Sequence, residues 1–418
     1  MHVRVGAKGT CMKRIVVCMD GTWQTLNQDE LTNIGIIARS VAHKETKPDG
    51  STVQQTVIYT LGVGSSLGAL ADTNFLQRAQ TSFTRFAGGA FGEGLEDLVL
   101  DTYLRLAFNY ETGDEIYIFG FSRGAFAARR LAGFINTAGV VSRRHINKAR
   151  DGFRLYYNRP HGDAPEEARR EHEDAAAQFR RLYGKGDRNT DGTRRHTDDT
   201  PKIAYLGVFD TVAQRGFGDV IGSFTPWGDS KSHKFKNYRV SPNVLNARHA
   251  VALDENRLGF PVTLFDGIAE DNARLGRLAY DQRWFAGSHG DIGGGDGSKL
   301  SAIALKWIAE GARDAGLRFY ATYGDDESPL DQRMREAGMC FDADIVRPRL
   351  PKALQPLNYP WRTRKVWTRR ERPTLDDAQS IFSPSVLQRA HADHLKPRYR
   401  PASLKPFQKA LKEWRPEG

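Results

Sequence analysis

Apolar residues in this chain fall into short uninterrupted runs that alternate with longer helical stripes. Arg14-Ile-Val-Val-Cys-Met19 is a continuous run closed by Asp20-Gly21-Thr22, the pattern of a strand buried on both faces and ending in a tight turn. Val57-Ile-Tyr-Thr-Leu61 repeats the pattern ahead of a Gly-rich stretch. From Gly94 to Tyr110, the residues Leu95, Leu98, Val99, Thr102, Leu106 and Phe108 recur at near-helical spacing and predict an amphipathic helix. A turn at Glu111 to Asp114 leads into a predicted strand, Glu115-Ile-Tyr-Ile-Phe119, then Gly120 to Gly124, then an alanine-rich helix over Ala125 to Asn136. Ile203 to Phe209 reads as another buried strand ending at Asp210. A helix at about Pro242 to Leu253, a strand at about Asp281 to Ala286 and a helix from Lys299 to Ala315 continue the series. Strands separated by helices imply right-handed crossovers and a mainly parallel α/β sheet flanked by helices.

Two segments depart from this rhythm. Within residues 160–201, His161 to Arg181 is charged and helix-prone, while Gly184 to Thr200 is rich in Lys, Gly, Asp, Arg and Thr. This predicts an inserted helix plus a disordered or lid-like loop, with the whole segment Pro160 to Pro201 acting as a mobile lid or flank of the substrate entrance. After Val346 prolines are frequent and no long periodic segment remains, so an extended wrap with one short helix near Val386 to His394 is expected. The organisation expected is a catalytic domain over residues 13–345 and a basic Pro-rich extension over residues 346–418 packed on it.

Composition narrows the picture. At 418 residues with 39% hydrophobic and 27% charged positions, the chain can bury a large core, which excludes wholesale disorder, collagen and coiled coil. No run approaches the roughly 18 to 20 apolar residues that span a bilayer, and Met1 to Lys13 lacks the apolar segment of a secretory leader. A chain made in the cytoplasm is expected. Cys11, Cys18 and Cys340 are too few and too scattered for a disulfide framework or a zinc site.

The net charge of +11 is localised. Residues 346–418 hold 17 Lys and Arg against 6 Asp and Glu, which leaves 44 of each sign in the rest. Arg362, Arg364, Arg369 and Arg370, interleaved with Trp361, Trp367, Tyr399 and Trp414, suggest peripheral contact with anionic membranes. The competing reading is that these arginines form ion pairs within the fold. The tail holds no nucleic-acid reading motif, so a nucleic-acid partner is not expected.

The sharpest chemical signal is Gly120-Phe121-Ser122-Arg123-Gly124, a Gly-x-Ser-x-Gly between a predicted strand and a predicted helix. On such an elbow the serine hydroxyl is lifted above the sheet, and glycine on either side avoids clashes with the neighbouring strand and helix. The backbone N–H of Arg123 is a candidate oxyanion donor. A nucleophilic serine needs a base and an orienting carboxylate, here in the chain order Ser, Asp, His. Asp210 at the end of its strand and His289 in the Gly-rich loop after Trp284-Phe-Ala-Gly-Ser288 satisfy that order. His249, placed in the predicted helix, and His145, which precedes Asp210, are the rivals for the base. Gly21 and Thr22, after the first strand, are candidates for the second oxyanion donor, and Asp20 either fixes that turn or lies in the site. His289, Asp291, Asp20 and Asp296 match no metal-ligand spacing, so neither metal nor cofactor is expected.

Five motifs in order, Cys18 to Trp23, Gly120 to Ala125, Val208 to Val212, Arg248 to Glu255 and Trp284 to Gly295, resemble the DUF2235 family of α/β-hydrolase proteins. That family includes the catalytic domain of the Tle1 phospholipase effectors of bacterial type VI secretion. The resemblance runs from about residue 13 to residue 405 and includes Ser383 to Val386 and Tyr399 to Pro401. It implies an α/β-hydrolase fold with Ser122 as nucleophile, Asp210 as orienting acid and His289 as base. The activity implied is carboxylic ester hydrolysis, as a phospholipase or lipase, with a small-ester or polyester carboxylesterase as the alternative. A non-enzymatic binding protein working through its basic tail is the alternative of another class. The insert is longer than the family pattern, Ser383 stands where histidine is expected, and a large extra domain like that of full-length effectors is not expected. Export by a type VI-like system with an immunity or secretion partner does not follow from these residues.

Overall fold

The apolar runs form strands because both faces of each are covered. In the computed structural model these are β1 (Lys13–Met19), β2 (Lys44–Thr46), β3 (Thr52–Thr60), β4 (Glu115–Phe121), β5 (Ile203–Phe209), β6 (Ala247–Ala252) and β7 (Tyr280–Phe285). They make one sheet ordered β2-β3-β1-β4-β5-β6-β7, in which β2 alone pairs antiparallel. The structure describes residues 13–62 except 22, 23, 25, 27 and 28; 92–212 except 161–163 and 187–199; 238–345 except 258, 259, 324, 325 and 338–342; and 364–415 except 365, 367–370, 393, 396 and 397.

β1 explains why alternation is missing from the sequence. Ile15, Val17 and Met19 enter one core and Val16 and Cys18 the other, so every position must be apolar. The first core is closed by the helices Gly92–Asn109, Arg123–Ala138, Ala149–Tyr157 and Glu166–Tyr183. The second is closed by Asn33–Ser40, Ser301–Asp314 and Pro329–Glu336. The fold is α/β-hydrolase-like, a mostly parallel sheet between helical layers.

Three expectations need correction. The helix expected over Pro242 to Leu253 is β6, paired in parallel to β5 and β7. Ala247, Ala250 and Ala252 favour helix locally, but burial between two strands overrides that weak preference.

The tail is more helical than expected. Besides Pro384–His391 it forms helices Leu375–Ile381 and Gln408–Glu413 and a 3₁₀ turn Ala402–Phe407. Elements this short carry too few turns to show a period, and their caps were the only local signal: Thr374 with Asp377, and Ser383 before Pro384. The tail covers the open edge of the sheet, with Ser383 N–H donating to the Trp284 carbonyl at 2.9 Å. Phe382, Val386, Phe407 and Trp414 pack there against Val251, Leu253 and Trp284. Tyr399, Trp414 and Arg364 are therefore buried and unavailable to a membrane. Trp361, Arg362, Trp367, Arg369 and Arg370 lie outside the described residues.

The helical part of the insert is not a lid. Glu166–Tyr183 buries Ala176 and Phe179 within the helical layer, and Arg180 donates to the carbonyls of Asn136 and Thr137 at the end of Arg123–Ala138. That end stands about 24 Å from Ser122 along a 16-residue helix. The flanks of the following loop, Lys185 against Tyr110 and Thr200 ahead of β5, also sit at the sheet edge opposite Ser122. Residues 187–199 themselves lie outside the described residues.

Candidate active site

The chain leaves β1 toward β3 on one side and β4 toward β5 on the other, so the connections that leave the C-terminal ends of these paired strands diverge. Such a switch point opens a crevice where active groups collect. Ser122 stands at the end of β4, Asp210 at the end of β5 and His289 in the loop after β7.

Ser122 adopts φ 58° and ψ −122°, a conformation that L-residues rarely hold. The flanking glycines make it attainable. A Cβ on Gly120 would stand 2.5 Å from the Gly124 carbonyl oxygen, and one on Gly124 would stand 2.2 Å from the Met19 carbonyl oxygen. The helix Arg123–Ala138 begins directly after the serine, so its positive end faces the crevice. The Arg123 side chain is buried, and burial brings its pKa down to about 10.

Asp210 is the second non-glycine residue with positive φ among those described, at 35°. It is fully buried, and its Oδ1 accepts the Ala252 N–H at 2.9 Å. His289 opens a short helix, His289–Gly293, whose N-cap Ser288 is boxed by Asp291. Its Nδ1 lies 2.6 Å from Asp210 Oδ2, and its Nε2 lies 2.8 Å from Ser122 Oγ. Nδ1–H donates to the carboxylate, which leaves Nε2 as the acceptor for the serine hydroxyl. The ring is held between Phe121 and Phe260, at centroid distances of 4.6 and 4.8 Å.

The electrostatics support an ionised Asp210. Burial works upward on its pKa, but the charge of Arg364 and the bond from His289 prevail and hold it well below the usual carboxylate range. Arg364 grips both carboxylate oxygens, Nη1 to Oδ1 at 2.6 Å and Nη2 to Oδ2 at 3.1 Å. No local sequence pattern marked this residue. Glu255 also acts on the site: its Oε2 accepts the His289 backbone N–H at 3.2 Å. Burial pushes the Glu255 pKa up, yet the Arg257 guanidinium outweighs it and lowers the pKa. Asp254 accepts the Gly287 N–H and the Tyr399 hydroxyl, both at 2.7 Å, and so ties the histidine loop to the tail. The acidic pair at the end of Arg248 to Glu255 was the available signal for these two anchors.

The rival histidines are placed elsewhere. His249 is buried in β6, where Nδ1 meets Gln282 at 2.8 Å and Nε2 accepts the Thr211 N–H at 3.2 Å. Burial lowers its pKa to about 3, so it stays neutral at physiological pH. His145 sits beyond the far end of Arg123–Ala138, against Ser142 and Tyr183.

Asp20 fixes the first turn. It accepts the Gly21 N–H at 2.7 Å, the Tyr59 hydroxyl at 2.5 Å and the Thr32 hydroxyl at 2.8 Å. Burial raises its pKa to about 6 against those bonds. The Gly21 amide is thus turned to Asp20, and Thr22 lies outside the described residues. Among the described residues no group of three His, Cys, Asp or Glu is placed to hold a metal ion.

The model of the catalytic domain of Tle1-like phospholipase effectors of type VI secretion matches residues 13–311. The uncharacterized protein YEL023C of Saccharomyces cerevisiae is 28% identical over 254 residues, which make up 60% of this chain and 33% of that protein. An uncharacterized protein from Pseudomonas aeruginosa of known crystal structure is 15% identical at a TM-score of 0.37, over 84% of this chain and 50% of that one. The Tle1 effector bound to the VgrG spike of the type VI secretion system is 17% identical at a TM-score of 0.33, over 69% of this chain and 53% of that one. This chain thus spans a third of the yeast protein and about half of each solved chain. With the match covering most of its length, the chain belongs to the Tle1-like catalytic domain family of type VI secretion phospholipase effectors.

Proposed function

We propose that this chain is a serine hydrolase that cleaves the acyl esters of phospholipids. The observation that carries the reading is the relay Ser122 Oγ, His289 Nε2, His289 Nδ1, Asp210 Oδ2, with heavy-atom separations of 2.8 and 2.6 Å, on a strained strand-to-helix elbow. In the first step Nε2 takes the serine proton as Oγ bonds to the ester carbonyl carbon, and the carbonyl oxygen becomes an oxyanion. The Arg123 N–H, at the positive end of its helix, is the donor proposed for that oxyanion. Collapse of the intermediate expels the alcohol with the proton from His289 and leaves an acyl-serine. Water, deprotonated by the same Nε2, then releases the fatty acid and restores Oγ–H. The choice of phospholipid over a small ester rests on the family. Export through a type VI-like apparatus rests there too.

Two measurements test this. A fluorophosphonate probe should label the wild-type chain and fail on Ser122→Ala. Mass spectrometry of phospholipid vesicles should find free fatty acid and lysolipid with the wild type alone. Turnover confined to water-soluble esters indicates the small-ester enzyme, and an unlabelled wild type removes the hydrolase reading.

Peripheral contact with an anionic bilayer falls in this proposal to exposed lysines of the tail rather than to Arg364. Lys405, Lys409 and Lys412 are exposed on the consecutive turns Ala402–Phe407 and Gln408–Glu413. Each contributes about 1 kcal/mol near an anionic surface, screened over roughly 8 Å at physiological salt. Co-sedimentation with phosphatidylserine vesicles should fall with added salt and at least several-fold in the triple Lys→Gln variant. Equal binding by that variant rules out this surface.

A further inference from the structure

Residue 364 lies beyond residue 311, where the family match ends, and 154 positions after the carboxylate that it grips. The Arg364 guanidinium is buried and has four acceptors among the described residues. Besides the two oxygens of Asp210 these are the carbonyls of Ala252 at 2.7 Å and Phe260 at 2.9 Å. Ala252 also donates its N–H to Asp210 Oδ1, and Phe260 packs on the His289 ring. One side chain from the tail therefore joins the end of β6, the aromatic wall of the base and the acid itself.

A carboxylate can rotate about its Cβ–Cγ bond, and without Arg364 only one bond to each oxygen, from the Ala252 N–H and from the imidazole, would oppose that rotation. A planar guanidinium bonded to both oxygens fixes the carboxylate plane, which a point charge cannot do. We infer that Arg364 is a positioning residue of the triad: it holds Asp210 so that Oδ2 faces His289 Nδ1, and the site is complete only when the tail has docked. This rests on the hydrolase reading. The other ionisable groups facing this position are His289, His249, which also feels the charges of Asp210 and Arg364, and Glu255 with Arg257. Only Arg364 bonds both oxygens of Asp210 among the described residues.

The test uses the full chain and the second-order rate of fluorophosphonate labelling at Ser122, with a thermal melt for each variant. Arg364→Met should slow labelling by about 10²-fold, the scale of a small misplacement of catalytic groups. Arg364→Lys keeps the charge but loses the fork, and should recover only part, remaining about tenfold slow. If Arg364 acts through Asp210, the double variant Asp210→Asn/Arg364→Met should label within about threefold of Asp210→Asn alone. Should Arg364→Met fail to melt cooperatively, Arg364→Lys and the double variant decide, because the double variant leaves no buried charge unpaired. Wild-type labelling rates in Arg364→Met or Arg364→Lys, or losses that multiply in the double variant, overturn the role of Arg364 and leave the hydrolase reading standing. A wild type that does not label at all overturns both.

Discussion

Ser122→Ala and His289→Ala are each expected to lower phospholipid hydrolysis by about 10⁴-fold or more, and the double variant is expected to be no slower than either alone. The reason is geometric. Oγ and Nε2 are 2.8 Å apart and, in the proposed mechanism, exchange one proton, so removing either partner removes the whole step. Neither change disturbs the core greatly. Alanine at 122 must hold the same φ of 58° without the hydroxyl, and loss of the imidazole leaves Phe121 and Phe260 as the walls of a small gap. Fatty acid release measured against melting temperature separates the two effects. Near-normal turnover in His289→Ala would show that another group is the base, and His249, neutral and bonded on both ring nitrogens, is a poor substitute.

Asp210→Asn carries the second large effect, on activity and on stability together. An amide nitrogen at the Oδ2 position donates to His289 Nδ1, so the imidazole must present Nε2–H and can no longer accept the serine proton. A loss of about 10⁴-fold in kcat follows. The substitution also leaves the buried Arg364 guanidinium without its counter-charge, which costs on the order of 3–5 kcal/mol. The pH dependence has a defined sign. The Asp210 pKa is depressed in the folded chain, so its stabilisation is fully present above the unfolded value near 3.9 and is lost as pH falls below it. The difference in melting temperature between wild type and Asp210→Asn should be constant from pH 5 to 7 and shrink below about pH 4. A gap that persists unchanged into acid means that the pair with Arg364 does not stabilise the fold.

Several features of the molecule are legible in the sequence alone. The uninterrupted apolar runs of β1 and β5 can occur only where a strand is covered on both faces, and such strands alternating with helices require a parallel sheet. The glycines around Ser122 sit in a strand-to-helix context that no larger residue tolerates, which singled out the elbow. Chain order then nominated Asp210 and His289. β6 was misread because alanine-rich composition is ambiguous between helix and buried strand, and pairing partners decide the outcome. The helical part of the insert was misread as lid because polar composition reports that a segment cannot form a core by itself, yet Ala176 and Phe179 suffice to dock one face of that helix.

The sequence by itself determined the local geometry: which runs extend, where the chain must turn, and which serine a strained turn can raise. Tertiary structure alone decided the long-range partners. Arg364 reaches Asp210 across 154 positions, Glu255 meets the His289 backbone and Tyr399 meets Asp254, and none of these pairs leaves a local mark. Periodicity and turn chemistry act over one or two turns of chain, whereas an ion pair in the interior is specified by the packing of whole elements. The tail arginine that composition left between a membrane and an internal ion pair is therefore, in the folded chain, the clamp on a buried carboxylate.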